Sequence, residues 1–177
     1  MKKWKLVNSK DIYSSKWITL QDNTYKLPNG ETKSGYLHLK RGDYVLIFAI
    51  NEKKEVLVEK QYRRGLDVFN FELPAGWVDK NEKVTETAKR ELLEETGYEC
   101  TPQGFFEIYP QPAFMEMKAY VVFCKLGKNT NKVKLEEDEN IKYELIHLEL
   151  LVEKVRLGEI KDMGLISSLG LYFSKKW

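Results

Sequence analysis

Apolar and polar residues change rhythm along this chain, and each change marks an element. In Tyr44–Ile50, YVLIFAI, apolar residues run almost unbroken and are rich in β-formers. Too short for a typical helix, the run predicts a buried strand. NEKK then turns it into EVLVEKQYR, which makes a hairpin of the two. A further short strand is predicted at Phe69–Leu73, ended by Pro74-Ala75-Gly76. Upstream, residues 1–40 read as short strands and turns. WITL and GYLHL are joined by a polar segment carrying the turn signal Pro28-Asn29-Gly30. Downstream, strands are predicted at 104–110 and 118–125, separated by a loop with Pro110 and Pro112, and again at IKYELIHL. Lys128–Asn140 is polar apart from Val133 and Leu135 and ends in EEDEN, which predicts a loop.

The rhythm turns helical from about Lys83 to Thr96, with Gly97 placed to end the helix in a left-handed conformation. Two more helices are predicted at roughly 149–157 and 163–174. In the last, Leu165, Ile166, Leu169, Tyr172 and Phe173 fall at helical spacing and read as core. Strands with helices between and after them make a mixed α/β fold, and no repeat or low-complexity linker divides it.

The first helix carries a contradiction. At about 100° per residue, Glu91 and Glu95 share a stripe with Val84 and Ala88, while Leu93 points away. Carboxylates on an inward stripe are costly unless protonated, paired with Arg or Lys, or bound to a metal. Glu91, Glu94 and Glu95 stand at i, i+3 and i+4, so their side chains converge. Three hard oxygen donors on a rigid helix suit Mg²⁺ or Mn²⁺, leaving other positions to water or phosphate oxygens. Glu82 can reach the same patch, and Arg90 can orient a carboxylate through its forked donors. Geometry alone leaves a second reading open: a solvated helix on which Lys83, Lys89 and Arg90 pair with the glutamates in water.

Composition narrows the classes. The 177 residues suffice for one domain with a real core, or for one domain and a small appendage. At 42% hydrophobic and 32% charged, neither disorder nor a collagen-like repeat is expected. A net charge of +2 neither demands nor excludes nucleic acid. No apolar run approaches membrane-spanning length, and MKKWKLVNSK lacks the apolar segment of a signal peptide, so a cytoplasmic home is expected. Cys100 and Cys124 are expected to be reduced, and the isolated His38 and His147 to be structural. Zinc and Ser-His or Cys-His chemistry are therefore not expected.

The stretch Gly76–Tyr98, GWVDKNEKVTETAKRELLEETGY, resembles the Nudix box. Gly76, Glu82, Arg90, Glu91, Leu92, Glu94, Glu95 and Gly97 fit at every spacing, and Tyr98 stands where an aliphatic residue is usual. The resemblance implies an α/β/α sandwich with a mixed β-sheet. It also implies divalent-metal-dependent hydrolysis of a nucleoside diphosphate linked to another moiety. Glu91, Glu94 and Glu95 would be metal ligands, joined by the carbonyl of Ala75. Glu94, Glu95 and Arg90 would form the catalytic group, with Arg90 and Glu82 holding the glutamates in place.

Resemblance continues outside the box. EKQYRRGLDVFNFELPAGWVD is similar to the ADP-ribose pyrophosphatase and nucleotide-sugar hydrolase branch, which implies that Arg63 and Glu72 touch substrate. That branch implies an N-terminal antiparallel β subdomain, residues 1–40, that mediates a homodimer, and a catalytic domain over 41–177. Pro112 lies near the spacing of a proline that marks ADP-ribose enzymes, but its context is YPQPAFMEM, with Ala113 where glycine is usual, which leaves room for other nucleotide sugars. EEDEN resembles the acidic loop of this branch, which puts Glu137 at the general base and Glu139 at a metal-ligand position, with Glu116 the competing candidate near the substrate. A charged, solvated loop is the alternative for EEDEN.

The expected function is metal-dependent cleavage of ADP-ribose or a related nucleoside diphosphate sugar into a nucleoside monophosphate and a sugar phosphate, with Mg²⁺ or Mn²⁺ as cofactor. The expected partners are a small-molecule substrate and a second copy of the chain, with no nucleic acid and no membrane. A non-catalytic nucleotide-sugar sensor is the rival; it predicts a damaged carboxylate set, and none is seen. A pyrophosphatase acting on another dinucleotide is the alternative within enzymes.

Overall fold

The computed structural model describes residues 1–135 and 140–174. Its elements run β1 (Lys5–Ser14), β2 (Thr19–Lys26), β3 (Thr32–Lys40), β4 (Tyr44–Ile50), β5 (Glu55–Arg63), β6 (Val68–Glu72), β7 (Ala75–Trp77), α1 (Val84–Thr96), β8 (Tyr98–Ile108), β9 (Met115–Glu116), β10 (Ala119–Asn129), β11 (Ile141–His147), α2 (Leu148–Arg156) and α3 (Met163–Ser174). The chain folds as two units. The first joins Met1–Asp43 to Ile108–Ala119, and the second joins Tyr44–Glu107 to the chain from Tyr120 onward.

In the first unit β1, β2 and β3 form an antiparallel meander, and β9 adds parallel to β3 through the pairs Leu39–Met115 and Lys40–Glu116. The turn signal Pro28-Asn29-Gly30 joins β2 to β3: Gly30 takes φ +93°, and Leu27 N donates to Glu31 O at 2.8 Å. β1 is exposed along its length, so KLVNSKDIYS carries no buried alternation by which its sequence could announce a strand. The loop expected between strands at 104–110 and 118–125 falls within Ile108–Ala119, which belongs to this unit.

In the second unit the sheet runs β11-β5-β4-β10-β8, with β6 paired to β5 and β7 to β4. YVLIFAI has almost no polar residue because both faces of β4 are covered. Val45, Ile47 and Ala49 join Ala88 and Leu92 of α1 with Val122, Cys124 and Leu126 of β10. On the other face Phe48 meets Phe123 at 5.3 Å and Tyr172 of α3 at 5.0 Å between ring centroids. Each such fully buried side chain contributes roughly 1.5–3 kcal/mol. α3 comes close enough that a Cβ added to Gly164 would stand 2.9 Å from Leu46 Cδ1. The result is an α/β/α sandwich.

Differences from the expected elements have local causes. β8 begins at Tyr98 rather than near 104, and it runs through Pro102. It ends the strand order of its sheet, where a proline without an N–H leaves no central ladder bond unmade. β10 extends to Asn129, and the segment after it is tied to the end of α1: Thr130 N donates to Gly97 O at 2.8 Å and Lys134 N to Glu94 O at 2.7 Å. Gly97 ends α1 at φ +75° with its N–H on Leu93 O. Cys100 and Cys124 are free thiols. Among the described residues no helix is long and apolar enough to cross a membrane.

Candidate active site

The site is built on α1 and the strand before it. β7 pairs with β4 through Ala75–Leu46 and Gly76–Val45 and packs against α1, which brings the Gly76 backbone under the helix. A Cβ on Gly76 would overlap the Glu91 carboxylate, so only glycine leaves that space. Ala75 is thereby held one residue from the point where Glu91 meets the backbone.

Arg90 organises the carboxylates. Its Nε donates to Glu82 Oε1 at 3.1 Å and its Nη2 to Glu82 Oε2 at 2.9 Å, a forked pair. Nη1 reaches Glu91 Oε1 at 2.7 Å and Glu94 Oε2 at 3.3 Å, while Nη2 also donates to the Trp77 carbonyl at 3.3 Å. Glu82 is fixed from its other side by the buried Thr87, whose hydroxyl donates at 2.8 Å. The guanidinium holds the Glu82 carboxyl down to about 2, with Thr87 and the Asp79 amide adding to the effect against burial. Arg90 is in turn pushed above its ordinary range, first by Glu82 and then by Glu91. Glu95 is buried at 7% exposure on the same helix, and Glu91 and Glu94 are partly buried. The inward stripe read from the helical wheel is therefore real for Glu95, and the purely solvated reading of this helix fails there.

Arg90 stands among Glu82, Glu91 and Glu94, with Glu95 next to them on the helix. Hard oxygen donors so gathered, with a backbone notch kept open by glycine, fit a divalent cation in their chemistry. Among the described residues no three acidic, histidine or cysteine side chains are already set as a closed cage. Arg90 draws Glu91 and Glu94 toward itself instead.

A second constellation lies on the β5–β6 hairpin. Arg63 Nη2 meets Glu72 Oε1 at 2.7 Å and its Nε donates to Oε2 at 3.1 Å. Burial pushes the Glu72 carboxyl up, and Arg63 opposes that shift. Glu59, which the sequence reading did not single out, stands directly across from Glu72 in the ladder and is 2% exposed. Its signal was available as a charge closing the apolar run Val56-Leu57-Val58. Asp162 joins from the start of α3, accepting from Asn70 at 3.4 Å and from the Leu165 amide at 2.7 Å.

Pro112 and Glu116 belong to the first unit. There the Glu116 carboxylate meets His38 Nε2 at 3.3 Å and Lys40 Nζ at 3.4 Å. The His38 hydrogen bond, with help from Lys40, holds the Glu116 carboxyl below its usual range. Glu137 and Glu139 lie outside the described residues.

Comparison with known proteins adds to this geometry. Residues 40–163 match the model of the NUDIX domain. The chain is 36% identical over 148 residues to the methanol dehydrogenase activator of Bacillus methanolicus, covering 82% of this chain and 78% of that one. It is 31% identical over 162 residues to the ADP-ribose pyrophosphatase of Bacillus subtilis (strain 168), covering 89% and 86%. A solved ADP compounds hydrolase superposes with a TM-score of 0.82 over 98% of this chain and 94% of its own at 20% identity, which speaks to the fold. With the glycine, the glutamates and the arginine of α1 arranged as described, the chain belongs to the Nudix family.

Proposed function

We propose that this chain hydrolyses the pyrophosphate bond of ADP-ribose or a related nucleoside diphosphate sugar, releasing a nucleoside monophosphate and a sugar phosphate. The observation that carries the reading is the cluster around Arg90, with Glu91 seated in the notch over Gly76. The relative from Bacillus subtilis named an ADP-ribose pyrophosphatase, similar over most of both chains, supports the choice of substrate class.

Glu91, Glu94, Glu95, the Ala75 carbonyl and Glu139 would hold Mg²⁺ or Mn²⁺, which when bound supplies charge neutralisation at the diphosphate and activation of water. Glu82 anchors Arg90, and Arg90 fixes the rotamers of Glu91 and Glu94 before substrate arrives. Glu137 takes the proton of the attacking water as general base. Lys134, three residues before it in the chain, is tied to α1 by its amide on the Glu94 carbonyl. Arg63, oriented by Glu72, binds the substrate's phosphate or ribose oxygens. The first unit, with Trp4, Ile12, Tyr13 and Trp17 exposed, forms the face of a homodimer. The protein works in the cytoplasm.

The test is turnover of ADP-ribose, GDP-mannose and UDP-glucose by purified protein with Mg²⁺. Release of a nucleoside monophosphate from at least one is expected, and no turnover of any overturns the reading. Binding without product would favour a sensor instead.

A further inference from the structure

Away from the carboxylates, α1 turns the stripe Thr85, Lys89 and Leu93 toward a cavity of about 620 Å³, walled also by Cys100, Pro102 and Gly127. None of the candidate metal ligands lines it. Cys100 is half-buried in that wall, and behind it, on the neighbouring strand, lies the buried Cys124. Cys100 packs against the buried cluster to which Cys124 belongs. Two thiols on neighbouring strands, one in a cavity wall and one in the core behind it, suit two-electron oxidation.

We propose that Cys100 is an oxidation site for hydroperoxides, with Cys124 as its resolving thiol. The Cys100 thiolate attacks one peroxide oxygen: an S–O bond forms, the O–O bond breaks, and the departing oxygen leaves as water or an alcohol after taking a proton. Sulfur is oxidised by two electrons and the peroxide is reduced by two. The Cys124 sulfur then attacks the sulfenic acid, forming S–S, breaking S–O and releasing water. The neighbouring Cys124 thiol holds the Cys100 thiol below its usual range, and Lys89 adds to this against burial, while Cys100 and burial push the Cys124 thiol up.

The pair is placed to be felt at α1. Cys124 belongs to the same buried cluster as Ala88 and Leu92, with Cys100 packed against it. Those two helical residues bracket Glu91, so joining the two sulfurs alters the packing beneath the helical turn that bears the acidic side chains.

The experiment exposes the purified full chain to hydrogen peroxide, then reads peptide masses without reduction and hydrogen exchange of the α1 amides. Expected is a Cys100–Cys124 linked peptide pair lacking two hydrogen atoms, reversed by dithiothreitol, and a severalfold change in exchange over Ala88–Glu95. Cys124→Ala should stop at a dimedone-trappable sulfenic acid on Cys100, and Cys100→Ser should protect Cys124. Should either variant fail to fold, the unmodified protein still decides. Two titratable thiols surviving a treatment that oxidises a free cysteine peptide overturn the proposal, as does a disulfide that leaves α1 exchange unchanged. These readouts need no substrate, so their failure is distinct from failure of the proposed hydrolysis.

Discussion

Arg90 touches Glu82, Glu91 and Glu94 at once, and this sharing sets what single substitutions will do. Replacement by lysine keeps a charge but loses the fork, so turnover should fall about 10–100-fold with little change in secondary structure by circular dichroism. Glu95→Gln keeps the shape of a buried side chain and takes away a hard oxygen donor; turnover should drop by several orders of magnitude while the fold stays intact, and a near-normal rate would remove the metal reading. Glu82 makes a prediction about acid. Its carboxyl lies at about 2 when folded against an ordinary 4.5, so the folded state binds its proton less readily than the unfolded chain. The stability it contributes is present above about pH 4.5 and is lost as pH falls through about 2. Denaturant unfolding of Glu82→Gln should therefore show a shallower loss of stability over that window than the parent. Residues of this kind were legible because the spacing of the glutamates conflicts with an amphipathic helix. Thr87 was not, since its partner, the Glu82 carboxylate, is known only from the fold; Glu59 showed only as a charge closing an apolar run, with nothing local to place Glu72 across the ladder from it.

At the scale of elements, α1 is the piece on which the site depends, and its ends are secured differently. The N-cap Lys83 offers no side-chain hydrogen bond, whereas Gly97 closes the C-terminus at φ +75°. Gly97→Ala should cost about 1 kcal/mol or more from the left-handed backbone alone. Its Cβ would also stand 3.0 Å from Asn129 Oδ1, so the denaturation midpoint should fall and amide exchange in the last turn should rise. α3 and β4 were legible because their apolar rhythm is long and unmixed, β5 because the NEKK turn returns the chain from β4, and α1 because Gly97 stands at the end of a helix-forming stretch. The start of β8 was not, because TPQ reads as a breaker until the strand is known to lie at the edge of its sheet. β7 and β9, of three and two residues, are too short to have a rhythm at all.

For the whole molecule, the division of labour is between a sandwich that holds the acidic helix and a small sheet with an exposed first strand. Chelation should abolish turnover without unfolding the chain, since the core of Val45, Ile47, Leu57 and Leu92 is complete without any ion. Fold class was readable because β4 demands cover on both sides. The membership of the first unit was not, because no local pattern tells that residues 108–119 return to strands laid down some seventy positions earlier. That return has a consequence during synthesis. The meander emerges from the ribosome first, but the outer edge of β3 has to wait until Met115 and Glu116 have been translated. For that interval the nascent chain presents an open strand edge, the kind of surface on which chaperones act and neighbouring chains can join by mistake.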